Sequence, residues 1–165
     1  MAAYIIEDSL LDMERADSML KIPAVGYDFV TCLCSEFIGS GIHRSVFQYS
    51  LDDKYVIKIE PKNTNQNTIE WMIWNEVQYL KDDLAWVKEW FAPVKWISPN
   101  GIILVMKKTF EKPDKKRPDK IPDFLWDVKV DNFGWIGNNL VCHDYGQFYN
   151  MINYSKKMKK VKWYF

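Results

Sequence analysis

The chain is poor in the residues that disulfide frameworks and zinc sites require. Its 165 residues include three cysteines and two histidines. Cys32, Cys34 and Cys142 show no Cys-x-x-Cys spacing, and with His43 and His143 they match no standard zinc-ligand pattern. We therefore expect reduced, structural thiols, as in a cytoplasmic protein, and no zinc site.

The chain also lacks an excess of charge and a long apolar run. Lys and Arg total 22 and Asp and Glu total 22, so the formal net charge is +0 and no overall field attracts nucleic acid or membranes. No apolar run approaches the roughly 18 residues of a membrane-spanning helix. The N-terminal stretch MAAYIIEDSLLDMERADSML has neither the basic start nor the apolar centre of a signal peptide. These features predict an intracellular globular protein.

The pattern of apolar residues predicts helices alternating with antiparallel strands. The predicted elements are an amphipathic helix over Ile5–Lys21 closed by Pro23, strands over Tyr27–Phe37, Ser45–Ser50 and Tyr55–Ile59, a helix over Thr68–Asp82 that Thr68 could cap, two strands around the turn Pro99–Gly101, and a hairpin over Phe133–Cys142. This order indicates an α+β fold.

One strand contains a residue that a buried strand rarely accepts. Lys58 lies inside the apolar sequence YVIKI, and a buried ammonium needs a carboxylate or an anionic ligand beside it. Glu76 shares the helical stripe of Ile69, Ile73 and Leu80, so a Lys58–Glu76 pair would satisfy both charges. The alternative is that Glu76 lies at the edge of the stripe and Lys58 reaches solvent.

A glycine-containing turn precedes this strand. In IGSGIHRSV, residues 38–46, the glycines let backbone N–H groups approach a phosphate without an intervening side chain. The turn is not a Walker loop, because no Gly-Lys-Ser/Thr follows, and it joins two strands rather than a strand and a helix. Alone, it is a weak indication of phosphate binding.

A group of polar residues surrounds the predicted hairpin. Asp127, Lys129, Asn132 and Asp144 flank it in loops, and carboxylate and amide oxygens are ligands that Mg²⁺ takes together with phosphate oxygens and water. A polar turn cluster without a ligand is the alternative.

Taken in order, these segments resemble the protein-kinase-like superfamily, including small divergent kinase-like proteins of phage and bacteria. IGSGIHRSV resembles the Gly-rich loop G-x-G-x-x-G-x-V, with Arg44 at the third Gly position. VIK resembles V-A-I-K, DVKVDN resembles D-x-K-x-x-N, and DYG stands where D-F-G would. The resemblance covers roughly residues 30–150.

The resemblance implies a role for each matched residue. ATP and Mg²⁺ are the implied cofactors. The implied nucleotide-binding residues are Gly39, Ser40, Gly41, Val46, Val56, Lys58, Glu76 as the helix partner of Lys58, and Met106 near the gatekeeper position. Asp127 is the implied catalytic base and Lys129 steadies the transferred phosphate, whereas Asn132 and Asp144 are the implied metal ligands.

The resemblance also implies a shortened kinase fold. The expected organisation is an N-terminal helical extension over residues 1–24, an antiparallel-sheet N-lobe with one helix over 25–110, a truncated C-lobe with the catalytic and metal loops over 111–150, and a basic aromatic tail over 151–165. Leu125 and Trp126 replace the usual His-Arg before the catalytic Asp, and the A-P-E element is missing. The platform that holds a protein substrate is therefore almost absent.

Two main functions follow from these expectations. The favoured one is ATP- and Mg²⁺-dependent phosphoryl transfer to a Ser/Thr-type protein hydroxyl, and the alternative is a non-catalytic module that grips a host or partner protein. Nucleotidyl transfer with ATP bound in reverse is a third. The lysines at 156–162 and the aromatic residues after them could contact nucleic acid, but a solvated or protein-binding tail is the favoured interpretation.

Overall fold

A five-stranded antiparallel sheet forms most of the first half of the described chain. The computed structural model describes residues 23–61, 64–148 and 154–165. The strands of the large sheet are β1 (Cys34–Ser40), β2 (Ser45–Tyr49), β3 (Tyr55–Ile59), β4 (Val94–Ile97) and β5 (Ile103–Lys107), in the spatial order β1-β2-β3-β5-β4. The helices are α1 (Pro23–Leu33) and α2 (Gln66–Val77). The expectation of an α+β fold is confirmed.

Two short strand pairs follow the large sheet. β6 (Lys120–Pro122) pairs with β9 (Met158–Lys160), and β7 (Phe133–Ile136) pairs with β8 (Asn139–Cys142). Single-turn 3₁₀ helices span Asp82–Leu84, Val87–Trp90 and Val130–Asn132. The predicted hairpin over Phe133–Cys142 is confirmed, as are the strand Tyr55–Ile59 and the strand pair around Pro99–Gly101.

Other boundaries differ from those predicted. The segment expected to be a strand over Tyr27–Phe37 is helical as far as Leu33. Pro23 is the first residue of this helix, a position at which proline loses no helical hydrogen bond. The predicted helix over Ile5–Lys21 lies outside the described residues. No helix of the described ranges is long and apolar enough to cross a membrane.

The alternation of side chains in β3 separates two apolar clusters. Ile57 is fully buried with Ile103 and Val105 on one face of the sheet, where Val30 and Leu33 of α1 cover them. Val56 and Lys58 lie on the opposite face, because neighbouring residues of a strand point to opposite sides. On that face Leu104 and Met106 of β5 join the main core, against which residues of α2 pack.

Glu60, which follows β3, fixes the start of α2. Its carboxylate accepts hydrogen bonds from Thr64 Oγ1 (2.6 Å) and from the backbone N–H of Asn67 (2.9 Å). The Asn67 side chain then donates to the carbonyls of Gly101 and Ile102, both at 2.9 Å, and so anchors the helix to the β4–β5 turn. The prediction that Thr68 caps the helix is wrong, because the helix begins at Gln66, and Glu60 supplies the carboxylate.

Candidate functional site

Lys58 has a buried carboxylate partner, and that partner is Glu70. Lys58 Nζ lies 3.0 Å from both carboxylate oxygens of Glu70. Lys58 is 4% exposed and Glu70 is 0% exposed. The expectation that a carboxylate of the following helix neutralises this lysine is confirmed. The prediction that Glu76 is that carboxylate is wrong, since Glu76 is exposed.

The stripe that α2 buries explains the error. Its buried residues are Asn67, Glu70, Ile73 and Val77. Glu76 lies six residues after Glu70, which places it about 9 Å further along the helix axis and rotates it by about a third of a turn away from the buried stripe. The predicted stripe shared only Ile73 with the observed one.

Arg44, at the end of the glycine-containing turn, joins the same pair. Its guanidinium contacts both Glu70 oxygens, Nη2 to Oε1 at 2.9 Å and Nη1 to Oε2 at 2.8 Å. Nη2 also donates to Asp144 Oδ1 at 2.5 Å. Two cations and two carboxylates therefore meet between β2, β3, α2 and the loop after β8. We refer to Arg44, Lys58, Glu70 and Asp144 as the buried ion cluster.

The charges of the buried ion cluster fix its protonation. Burial lowers the pKa of Lys58, the charge of Arg44 lowers it further, and Glu70 only partly opposes them. Burial also acts to lower the pKa of Arg44, but Glu70 and Asp144 raise it above its ordinary value. The pKa of Asp144 lies below its usual range because Lys58 and Arg44 outweigh the effect of burial. Arg44 thus stays cationic and Asp144 anionic, whereas Lys58 holds its proton less tightly.

The loop after β8 is fixed by the same lysine and by the hydrophobic core. Lys58 Nζ donates to the His143 carbonyl. The backbone N–H of Tyr145 donates to Glu70 Oε1 at 3.2 Å, and the Tyr145 hydroxyl donates to the Ala92 carbonyl at 2.8 Å. Gly146 packs so closely that an added Cβ would lie 2.9 Å from the Gln66 carbonyl oxygen. The sequence HDYG is therefore held directly against the start of α2.

His143 connects this loop to the one that precedes β7. Its Nε2 lies 2.8 Å from the Asp131 carbonyl, which can only accept, so Nε2 carries the proton. Nδ1 then accepts from the Thr109 hydroxyl at 2.8 Å. Burial and the charge of Lys58 lower the pKa of His143 to about 4, so the ring is neutral at neutral pH.

A second group of polar side chains lies in the loop before β7. Asn132 Nδ2 donates to Asp127 Oδ2 at 2.7 Å, and the Tyr164 hydroxyl donates to Asp127 Oδ1 at 2.5 Å. The Asn132 carbonyl accepts from the backbone N–H of His143 at 2.8 Å, which connects this group to the HDYG loop. We refer to Asp127, Asn132 and Tyr164 as the carboxylate–tyrosine cluster.

Lys129 lies beside this cluster without joining it. Its Nζ pairs with Asp131 at 3.1 Å, and the two side chains are 43% and 64% exposed. Nothing in this exposed pair fixes Lys129 to one place, so its ammonium is available to other anions.

The glycine-containing turn presents an open face. A Cβ added at Gly39 or Gly41 would meet nothing within 4 Å, and neither glycine has a positive φ. The Gly41 N–H donates to the Arg44 carbonyl at 2.9 Å, which closes the turn. Val46 lies opposite Lys58 in the β2–β3 pairing. The two glycines therefore leave the turn between β1 and β2 open at these positions.

The predicted site residues fall into three groups. Lys58 and Asp144 meet in the buried ion cluster, and Asp127 and Asn132 meet in the carboxylate–tyrosine cluster. The other predicted residues lie outside both clusters. Those on the sheet or in the β1–β2 turn are Gly39, Ser40, Gly41, Val46, Val56 and Met106, and those elsewhere are Lys129 and Glu76. Met106 is fully buried and pairs with Val56 and Val94.

Sequence reasoning missed Glu70, the inward position of Arg44 and the contact of Tyr164. Glu70 had a detectable signal, because it lies three residues before Ile73 on a helix that follows a strand with a lysine. Arg44 had a weaker signal, because it stands in the turn at the position where the resemblance places a glycine. The contact of Tyr164 depends on strand pairing between distant segments and left no local signal.

Comparisons with family models, with curated proteins and with solved structures find no match to this chain. Within the described residues, no three or more His, Cys, Asp or Glu side chains are grouped so that they could hold a metal ion. A functional assignment therefore rests on the geometry of the two clusters.

Proposed function

We propose that this chain is a minimal kinase-like domain that transfers a phosphoryl group from ATP to a protein hydroxyl. The observation that carries the proposal is the joining of Lys58, Glu70 and Asp144 in one cluster, connected through the Asn132 backbone to Asp127. A strand lysine, a helix glutamate and two loop aspartates are the groups that phosphoryl transfer in the kinase-like superfamily requires. The strand order and the ion pair between β3 and α2 support the same fold.

The residues present fit a nucleotide carrying a divalent cation. Gly39 and Gly41 leave open space in the turn between β1 and β2. The Asp144 side chain is 46% exposed and so can be reached by an ion. With Asn132 it offers too few ligands for an all-protein metal cage, but Mg²⁺ usually takes only one or two carboxylates and completes its shell with phosphate oxygens and water.

Each residue then has a definite task. Lys58, held by Glu70, would donate to the phosphates, and the backbone of the turn at residues 38–46 would offer N–H groups to them. Asn132 and Asp144 would hold Mg²⁺, and the ion would supply charge neutralisation at the transferred group. Asp127, oriented by Asn132, positions an acceptor hydroxyl and receives its proton. Catalysis is mostly positioning and electrostatic stabilisation.

Arg44 must take part in nucleotide binding under this proposal. Its guanidinium contacts Asp144 Oδ1 at 2.5 Å, which is the carboxylate assigned to the metal. We infer that the guanidinium turns towards the phosphate oxygens when the nucleotide binds, which frees Asp144. Arg is well suited to this exchange because its planar fork binds carboxylates and phosphates equally well.

The same contact favours the alternative function. An internal guanidinium that neutralises both Glu70 and Asp144 can replace the metal as a structural cation. In that case the domain is a non-catalytic module that binds a host or partner protein, and the cluster serves only to stabilise the fold.

The deciding experiment follows label from γ-phosphate-labelled ATP, with Mg²⁺, onto the protein and onto proteins of a cell lysate. Asp127→Asn should lower the rate by about 10²–10⁴-fold, because a positioned base is lost. Asp114→Asn, at an exposed carboxylate between β5 and β6, is the matched control and should keep the wild-type rate. Equal rates for wild type and Asp127→Asn would contradict the proposal.

Nucleotide binding is tested separately by thermal unfolding. ATP should raise the Tm more with Mg²⁺ than without it, because binding to the native state alone stabilises it. Asp144→Ala should abolish the Mg²⁺-dependent part of the rise. No rise with millimolar nucleotide would favour the binding module, for which capture of a partner should survive Asp127→Asn and be lost on deletion of residues 156–165.

A further inference from the structure

The segment 154–165 is bound along the loop that carries Asp127. β9 pairs with β6 in register, and the Val161 N–H continues the pairing by donating to the Asp119 carbonyl at 3.1 Å. Trp163 then packs against Phe133 with ring centroids 5.0 Å apart. Its indole N–H donates to the Pro118 carbonyl at 3.1 Å. The segment thus reaches the loop with its path fixed by backbone and aromatic contacts.

Tyr164 is the next residue, and its backbone is fixed as well. Its carbonyl accepts from the Val130 N–H at 2.7 Å, and its backbone forms a parallel bridge with Lys129. The side chain is 49% exposed, yet its hydroxyl lies 2.5 Å from Asp127 Oδ1. The position of the hydroxyl therefore follows from contacts on both sides of the residue.

Both carboxylate oxygens of Asp127 accept hydrogen bonds, in an arrangement that suits a general base. Oδ2 accepts from the Asn132 amide at 2.7 Å, so Oδ1 is aimed at the tyrosine hydroxyl. A hydroxyl within hydrogen-bond reach of an oriented carboxylate is the arrangement expected before proton transfer in general base catalysis. An acceptor in the same chain needs no separate docking surface, because the fold itself holds it beside the carboxylate.

We propose that Tyr164 is an intramolecular phosphoryl acceptor. This inference rests on the proposed function and replaces its Ser/Thr-type acceptor by a tyrosine of the same chain. The Tyr164 oxygen forms a bond to the γ-phosphorus of ATP while the bond from that phosphorus to the β–γ bridging oxygen breaks. The hydroxyl proton goes to Asp127, and ADP leaves with the bridging oxygen. The products are one phosphotyrosine and ADP.

The product should not keep the contact that made it. A phosphorylated tyrosine carries about −1.5 to −2 charges at neutral pH, and it would face the Asp127 carboxylate once that group has passed the transferred proton to water. Like charges at this distance repel, so phosphorylation should detach the segment around Tyr164 and expose Asp127. The transfer would then occur once per chain before another acceptor can enter.

The first test is the site and the order of the labelling. Wild type incubated with ATP and Mg²⁺ should gain one phosphoryl group at Tyr164, located by peptide mass spectrometry. The first-order rate constant should be unchanged when the protein is diluted tenfold, because donor site and acceptor belong to one chain. Tyr164→Phe and Asp127→Asn should remove the label, and Tyr79→Phe, at another exposed tyrosine, should keep it.

The second test needs no turnover. The carboxylate of Asp127 raises the pKa of Tyr164 above its ordinary value. An ultraviolet pH titration, read as wild type minus Tyr164→Phe, should show this raised pKa. The same titration of Asp127→Asn, read as Asp127→Asn minus the double variant Asp127→Asn with Tyr164→Phe, should show a Tyr164 pKa closer to the ordinary value. An unchanged Tyr164 pKa in Asp127→Asn would mean that the contact is absent in solution, which overturns the inference.

The outcomes separate the two proposals. Label on added lysate proteins without label at Tyr164 overturns the acceptor role alone and leaves the proposed function standing. No nucleotide-dependent rise in Tm and no transfer of any kind overturn the proposed function and the acceptor role together. Label at Tyr164 whose rate constant falls on dilution shows transfer between chains and overturns the intramolecular inference.

Discussion

The buried ion cluster and the carboxylate–tyrosine cluster are adjacent, but they differ in what holds them together. In the first, Lys58 and Glu70 are almost fully removed from solvent and charges compensate one another. In the second, Asp127 is only partly buried and Tyr164 is half exposed, and hydrogen bonds rather than opposite charges connect the side chains. Removing a partner from the first leaves an uncompensated charge in the interior, whereas the second can exchange its partner for water.

This difference separates stability from chemistry. Residues of the buried ion cluster should control whether the chain folds, because desolvated charges are costly without their partners. Residues of the carboxylate–tyrosine cluster should control what the folded chain does, because their partners are exchangeable. The free energy of unfolding of single variants should therefore respond strongly in the first cluster and weakly in the second.

The largest effect is expected at Glu70. Glu70→Gln keeps the size of the side chain but removes the one carboxylate that contacts both Arg44 and Lys58. We expect a loss of about 3–5 kcal/mol in the free energy of unfolding, measured by urea denaturation. Glu76→Gln, on the exposed side of the same helix, is the control and should change stability by less than about 0.5 kcal/mol. Equal losses in the two variants would show that the buried ion cluster does not form.

The next effect concerns the glycine that lets the HDYG loop lie against α2. An alanine at Gly146 would place its Cβ 2.5 Å from Gln66 Oε1 and 2.9 Å from the Gln66 carbonyl oxygen. The backbone must move, so we expect Gly146→Ala to cost about 1–3 kcal/mol in the same denaturation assay. Gly41→Ala meets nothing within 4 Å and should leave stability nearly unchanged. A neutral Gly146→Ala would mean that the loop does not approach the helix so closely.

The positions of the strands from β2 onwards were the most predictable part of the fold. Short-range patterns, such as the alternating YVIKI and the turn around Pro99–Gly101, decide strand and hairpin positions, and these predictions are confirmed. The strand expected over Tyr27–Phe37 failed because aromatic and β-branched residues also suit a short helix that packs on a sheet. Tertiary contacts decide between the two.

The site was predictable only in part. The requirement that Lys58 have a helix carboxylate follows from the cost of a buried charge, and it is confirmed. The identity of the carboxylate was missed because α2 carries apolar residues on several faces, with Ile69, Trp71 and Trp74 also packed against the core. A helix that is apolar on several faces does not reveal which face is inside. The contact of Tyr164 arises from pairing of β6 with β9, which local patterns do not encode.

A further effect on stability should appear as the pH falls, because His143 lies between the two clusters. Its pKa is lowered to about 4 in the folded protein from the ordinary 6.5, so between these values the unfolded chain binds a proton that the folded chain does not. Stability should therefore decrease as the pH falls from about 6.5 to 4, by up to about 1.4 kcal/mol per pH unit for one proton. His143→Gln cannot titrate and should flatten this part of the profile, measured by denaturation at each pH. A slope that the substitution leaves unchanged would assign the pH dependence to other groups.

The smallest effect on stability is expected at Lys129, which forms an exposed ion pair beside the carboxylate–tyrosine cluster. Its pair with Asp131 spans 3.1 Å, as does the pair of Lys116 with Asp119, and the side chains of both pairs are exposed. Exposed pairs contribute roughly 0–1 kcal/mol, so Lys129→Ala and Lys116→Ala should unfold almost like wild type.

Lys129→Ala and Lys116→Ala should differ only in activity. Under the proposed function Lys129 steadies the transferred phosphate beside Asp127, so Lys129→Ala should slow phosphoryl transfer, whereas Lys116→Ala should not. The measurement is the rate of label incorporation for both variants at one ATP concentration, together with their urea midpoints. Because stability is matched, a slower rate in Lys129→Ala alone can come only from the site. Equal rates would remove Lys129 from the proposed mechanism while leaving the roles of Asp127 and Lys58 to their own tests.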